Sequence, residues 1–172
     1  MKPALVWFRS DLRVRDNTSL VEAVARGGGV IGVFTICPEQ WLEHDWAPVK
    51  VDFLLRSLRA LSGALAQIGV PLKILGVPRF ADVPAALAEL ADAHRCGGIY
   101  FSREYEWNEA QRDAAVRRRF EAAGREVQVC DDSAILWPGA VKTQKGDYYT
   151  VFTPFKNTWL GIVDELGEPA VL

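Results

Sequence analysis

Apolar positions follow two alternating rhythms along the chain. Five short, nearly continuous runs, Ala4 to Phe8, Val30 to Ile36, Leu72 to Leu75, Gly98 to Phe101 and Val127 to Cys130, have the form of strands buried on both faces. Between them the spacing changes to three and four. Val51, Leu54, Leu55, Leu58, Leu61, Leu65 and Ile68 mark one face of a five-turn helix that ends at Gly69, with Lys50, Arg56 and Arg59 on its outer side. A first helix is predicted with Asp16 or Asn17 as its cap, Leu20, Val21 and Val24 on one face, and a stop at Gly27, Gly28 and Gly29. A third has Asp82 as cap and turns Val83, Leu87, Leu90 and Ala91 inward, and a fourth runs from Asn108 to Ala123. Strand and helix thus alternate, which predicts an α/β fold: a doubly wound, Rossmann-like five-stranded parallel sheet with helices on both faces, closing near residue 131.

From Asp131 to Leu172 the pattern changes. No clear strand or long amphipathic helix is predicted, yet Trp137, Tyr148, Tyr149, Phe152, Phe155 and Trp159 fall here and need a cover. Packing area is the expected role of Trp137 and Trp159, rather than redox chemistry.

Composition narrows the class. At 172 residues, 49% hydrophobic and 24% charged, the chain matches one globular domain, and no apolar run approaches the roughly 20 residues of a membrane span. With no signal-like segment after Lys2, a cytoplasmic location is expected. A net charge of −2 gives no general attraction to nucleic acid. Cys37, Cys96 and Cys130 are too widely spaced for a disulfide framework and read as buried thiols, and His44 and His94 stand fifty residues apart, so no metal site is expected. Arg117 to Arg119, Lys142 and Lys145 read as solvated charge.

In open parallel sheets, ligands gather at the carboxyl ends of the strands. Neither a G-x-G-x-x-G turn nor a P-loop is present, and no nucleophile–base pair or catalytic carboxylate pair follows any strand, so the expected site binds rather than reacts. After the first strand come Arg9, Asp11 and Arg13, whose simplest reading is a surface ion-pair network tying the loop to the helix start. After the second come Gln40, Trp41, His44 and Trp46, and after the fourth Trp107, Asn108 and Glu109. Taken singly, His44 reads as a surface histidine, Asn108 as an N-cap and Glu109 as a complement to the helix dipole. Taken together, a carboxylate and an amide at one helix start can read the N–H edge of a heterocycle, with Trp41, Trp46 or Trp107 as its wall.

Trp7-Phe8-Arg9-Ser10-Asp11-Leu12-Arg13-Val14-Arg15-Asp16-Asn17 resembles the W-F-R-x-D-L-R-x-x-D-N opening of the photolyase/cryptochrome family. Tyr105-Glu106-Trp107-Asn108-Glu109-Ala110-Gln111-Arg112-Asp113 is similar to its Y-E-x-N-E-x-x-R-D segment, and Asp131-Asp132-Ser133, Pro138-Gly139 and Val151-Phe152-Thr153-Pro154-Phe155-Lys156 follow in order. The resemblance is greatest to class I cyclobutane pyrimidine dimer photolyases. It implies an N-terminal α/β domain, residues 1–131, that binds a light-harvesting antenna. Residues 132–172 would begin the connector to a larger helical domain, lying beyond this chain, that holds FAD and receives damaged DNA. It further implies that His44, Asn108 and Glu109 bind 5,10-methenyltetrahydrofolate, with a deazaflavin as the alternative antenna, and that excitation passes to FAD for light-dependent repair. Trp7, Phe8, Arg9, Asp11, Arg13, Asp16 and Asn17 would form the family's structural loop. The fragment alone would have no repair activity, would contact DNA only through the helical domain, and would self-associate through its uncovered 132–172 tail. A cryptochrome signalling domain and a freestanding Rossmann-like interaction module are the alternative readings.

Overall fold

The computed structural model describes residues 1–167. Residues 168–172, the end of the expected connector, lie outside the described residues. Five strands, β1 (Ala4–Phe8), β2 (Val30–Ile36), β3 (Leu72–Gly76), β4 (Gly98–Ser102) and β5 (Glu126–Cys130), form one parallel sheet in the order β3-β2-β1-β4-β5. The chain winds outward from β1 to β3 and then returns to lay β4 on the other side of β1, as the register pairs Leu5↔Ile31 and Leu5↔Ile99 show. The strand order therefore reverses between β1 and β4. All five strands lie where the apolar runs predict them.

Alternation along β1 divides the core. Leu5 and Trp7 face one side, where Val83, Leu87 and Ala91 of α4 (Val83–Ala93) and Val116 and Phe120 of α5 (Trp107–Ala122) cover them. Ala4, Val6 and Phe8 face the other, against Leu20 and Ala23 of α1 (Thr18–Ala25) and Leu58, Leu61 and Leu65 of α3 (Pro48–Gln67). The doubly wound α/β class is the observed one.

Several local expectations are corrected. On α1 the buried face is Ser19, Leu20 and Ala23, whereas Val21 and Val24 are exposed. Small residues let this helix lie close to the sheet, where Ser19 Oγ meets Ser102 Oγ at 3.2 Å. Asn17 is the cap of α1, accepting from the Leu20 N–H at 3.0 Å. Asp82 flanks α4 without a side-chain cap bond and accepts instead from the Arg79 N–H at 3.2 Å. The N-cap of α5 is Glu106, not Asn108, whose side chain is free for another contact. A short helix, α2 (Pro38–Glu43), follows β2.

The tail contains a 15-residue helix, α6 (Phe152–Leu166), where no long helix was expected. Its apolar residues Phe152, Phe155, Trp159, Ile162, Val163 and Leu166 do keep helical spacing. Pro154 lies in the first turn, where the N–H it lacks would have no intrahelical partner. No residue of α6 is buried, and Tyr149 Oη to Thr158 Oγ1, at 2.8 Å, ties the preceding loop to it. Among the described residues no helix is long and apolar enough to cross a membrane. All three cysteines are buried free thiols, and burial pushes Cys37 up to about 11.

Two glycines separate steric need from tolerance. A Cβ on Gly28 would lie 2.0 Å from the Lys2 carbonyl oxygen, whereas one on Gly63, inside α3, meets nothing within 4 Å. Gly28→Ala is expected to destabilise the fold by about 1–3 kcal/mol, as forced overpacking does. Gly63→Ala should stabilise it by about 0.5–1 kcal/mol through helix propensity. Urea unfolding of both variants against the parent checks the pair.

Candidate functional site

The loop after β1 is built around charge, but not at the surface. Arg9 is 6% exposed and Asp11 8%, which replaces the expected surface ion-pair network by a buried one. Arg9 Nη2 donates to the Ser102 carbonyl and Nη1 lies 3.4 Å from Asp113 Oδ1. Arg112, on α5, reaches Glu104 Oε2 at 2.6 Å and Asp113 Oδ1 at 2.8 Å. Both guanidiniums also pack on Trp7, with Cζ 4.2 Å (Arg9) and 4.7 Å (Arg112) from the ring centroid. Trp7 itself donates from Nε1 to Thr35 Oγ1 at 3.2 Å.

Electrostatics follow from this packing. Burial pulls the Arg9 guanidinium below its usual value despite Asp113 and Glu104 nearby. Burial alone would push the Glu104 carboxyl up, but Arg9 and Arg112 outweigh it and hold Glu104 below its ordinary range. For Arg112 burial opposes the charge, and Asp113 with Glu104 prevails, so its value is raised.

Each remaining residue of the opening motif has a structural task. Phe8 fills the second core. Asp11 Oδ1 accepts from the Arg9 N–H at 2.9 Å, and Asp11 Oδ2 accepts from Ser102 Oγ at 2.9 Å. Asp16 adopts φ 51°, and its carbonyl accepts from Arg13 Nη2 at 2.7 Å. Arg13 also bridges to Asp132 at 2.9 Å, and Asp132 accepts from Thr18 Oγ1 at 2.8 Å, so the segment after β5 is held to the start of α1. Asn17 Nδ2 donates to the Arg13 carbonyl at 3.2 Å.

Above this floor, on the carboxyl side of β1, β2 and β4, an open cleft of about 970 Å³ lies beside the point where strand order reverses. His44, Asn108 and Glu109 all line it. His44 is the C-cap of α2, and Asn108 and Glu109 sit in the first turn of α5. Although 64 residues apart, Asn108 Nδ2 and His44 Nε2 are 3.1 Å apart. Trp41 and Trp46 stack in parallel at 5.4 Å and, with exposed Trp107, supply aromatic wall. Asp45 at φ 48° makes the turn that folds Trp46 back, and the Trp46 N–H donates to the Trp41 carbonyl at 3.0 Å. Lys50 Nζ lies 3.6 Å above the Trp46 ring.

Arg112, Phe80 and Lys50 also line the cleft, as does Glu104 from the segment after β4, and sequence pattern assigns none of them a binding role. Arg112 and Glu104 carried a weak signal, being charged groups beside a strand end. Phe80, which meets the His44 ring edge-on at 6.2 Å, carried none, because it arrives from the loop after β3.

Glu104→Gln is expected to destabilise the fold at neutral pH by about 3 kcal/mol, because it breaks a mostly buried ion pair. Glu104 is depressed in the folded state, so its contribution is present above the ordinary value of 4.5 and is lost as pH falls through the folded value. Thermal melts from neutral to acid pH should therefore show a smaller acid loss in the variant than in the parent.

Comparison with known proteins agrees with this architecture. The family model described as DNA photolyase matches residues 4–170. A deoxyribodipyrimidine photo-lyase of Vibrio cholerae is 38% identical over 98% of this chain and 35% of its own length. The crystal structure of a bacterial class III photolyase from Agrobacterium tumefaciens superposes with a TM-score of 0.76 at 28% identity, over 93% of this chain and 32% of that one. An archaeal photolyase from Sulfolobus tokodaii, described with two FAD molecules and an implied novel light-harvesting cofactor, shares the fold with a TM-score of 0.75 at 24% identity, over 98% of this chain and 36% of that one. The chain spans about a third of the length of the curated relatives it matches. The chain belongs to the DNA photolyase family and corresponds to its N-terminal α/β domain.

Proposed function

We propose that this domain is the light-harvesting antenna module of a class I deoxyribodipyrimidine photo-lyase and that its cleft holds 5,10-methenyltetrahydrofolate. The observation that carries the reading is the convergence of His44, Asn108 and Glu109, from two separate strand–helix loops, on one cleft with an indole wall. The donor set fits a pterin. Glu109 is an acceptor suited to the 2-amino and ring N–H groups, Asn108 positions the ring edge, and His44 contacts it from α2. Trp41 and Trp46 offer area for a flat ring, and the charge-locked floor below keeps the loops from shifting. The chromophore supplies near-ultraviolet absorption, which asks nothing of an acid or base here. What the chain must do is fix distance and orientation relative to FAD in a downstream helical domain.

In the full-length protein, residues 132–172 begin the connector, and the apolar face of α6, including exposed Phe152, Phe155 and Leu166, seats that helical domain. Repair of cyclobutane pyrimidine dimers, and contact with DNA, then belong to the joined protein.

Absorption titration with methenyltetrahydrofolate tests the antenna. Saturable binding with a shifted near-ultraviolet band is expected, weakened about 10- to 100-fold by Glu109→Ala, the scale of one or two charge-assisted hydrogen bonds. Failure to bind even with the helical domain restored would reject the folate and leave a deazaflavin, or no antenna. In the isolated chain the uncovered α6 face should produce concentration-dependent sedimentation; a monomer at every concentration with a protease-resistant tail would contradict it.

A further inference from the structure

Gln40 and His44 lie one helical turn apart, so their side chains share a face of α2. Gln40 Nε2 is 2.9 Å from His44 Nε2, the same ring nitrogen that Asn108 Nδ2 approaches at 3.1 Å. Two side-chain amides therefore meet one imidazole nitrogen. Which group donates is set by the other end of Gln40. Its Oε1 accepts from the Phe80 N–H at 3.5 Å, and its Nε2 also donates to Glu43 Oε2 at 3.3 Å. Reversing the amide would set an NH2 against the Phe80 N–H and a carbonyl against the Glu43 carboxylate, losing both contacts. With the NH2 facing the ring, His44 Nε2 is placed as the acceptor.

We infer that Gln40 is a positioning residue that locks His44 in the Nδ1–H tautomer, so that the imidazole offers the cleft a hydrogen-bond donor. In neutral imidazole one nitrogen donates and the other accepts, so with Nε2 taken by two amides the single N–H resides on Nδ1. Among the described residues Nδ1 has no hydrogen-bond partner, while His44 lines the cleft. The ring plane is set from a further side by Phe80, packed edge-on at 6.2 Å, and Arg79 ties that segment to α2 through Glu39 at 2.7 Å. The ligand half of this inference rests on the antenna reading. A ligand meeting Glu109 with N–H groups must meet His44 with an acceptor, that is, a carbonyl oxygen or an unprotonated ring nitrogen. A pterin carries both kinds of group. A ligand presenting only donors would leave the Nδ1–H unmatched.

The test reads the tautomer without any ligand. The chain has two histidines, so long-range proton–nitrogen NMR of histidine-labelled protein at mildly alkaline pH gives two ring patterns, and His94, on the far end of α4, is the internal reference. The expected result is Nδ1–H at His44, conversion to Nε2–H in Gln40→Glu, whose carboxylate accepts where the amide donated, and loss of the Nδ1–H preference in Gln40→Met. His94 should not respond. Methenyltetrahydrofolate affinity should fall about tenfold in Gln40→Glu, the scale of one hydrogen bond. Nε2–H at His44 in the parent protein, or the same tautomer in the parent and Gln40→Glu, would overturn the inference whether or not the folate binds. The expected tautomers with no folate binding would uphold the lock and reject only the folate.

Discussion

At the carboxyl edge of β1 and β4, two guanidiniums and two carboxylates are largely held out of water beside one indole. Arg9 and Arg112 both pack on Trp7, and their charge is balanced by Glu104 and Asp113. Buried ion pairs seldom add net stability over an apolar core, because desolvation offsets most of the attraction. What they do impose is geometry, since any slip leaves an uncompensated charge in a poorly solvated place. Here that constraint joins β1, the loop after β4 and the second turn of α5. The same group carries the largest share of the structure's buried charge, and it stands directly under the cleft.

The position of the cleft residues follows from this lock. Arg112 and Asp113 pin α5 near its start, and one turn earlier the helix projects Asn108 and Glu109. On the opposite side, α2 is held through Gln40 to the Phe80 N–H and through Glu39 to Arg79, so that His44 arrives within hydrogen-bond distance of Asn108. Phe80 links the two halves, because Arg112 lies over its ring at 4.5 Å while His44 meets it edge-on. A cleft assembled from loops is thereby tied to the sheet.

The molecule is finished unequally. The sheet is covered on both faces, whereas α6 presents an apolar face with no buried residue. A helix of that kind is stable by packing against something else. The relatives are about three times longer than this chain, and seating the α6 face against a further domain is part of the proposed function.

The five strands and the main helices were legible in the sequence: burial on two faces gives β1, β2 and β4 continuous apolar runs, the edge strands β3 and β5 keep apolar residues although they are partly exposed, and burial on one face forces helical spacing. Asn17 as a cap and the family's opening motif were legible for the same local reason. Local pattern could not show that Arg9 and Asp11 are buried, since a charged loop looks alike whether water or a partner from another strand neutralises it. It also misjudged α1, where Val21 and Val24 are exposed and a small-residue face packs, and α6, where Pro154 and Gly161 obscured a regular apolar spacing. The sequence by itself determined which residue types stand after each strand. Only the tertiary structure decided that the loops after β2 and β4 meet over the end of β1, because strand order is a long-range property, and it brings His44 and Asn108 together across 64 residues with Gln40 against the same ring nitrogen.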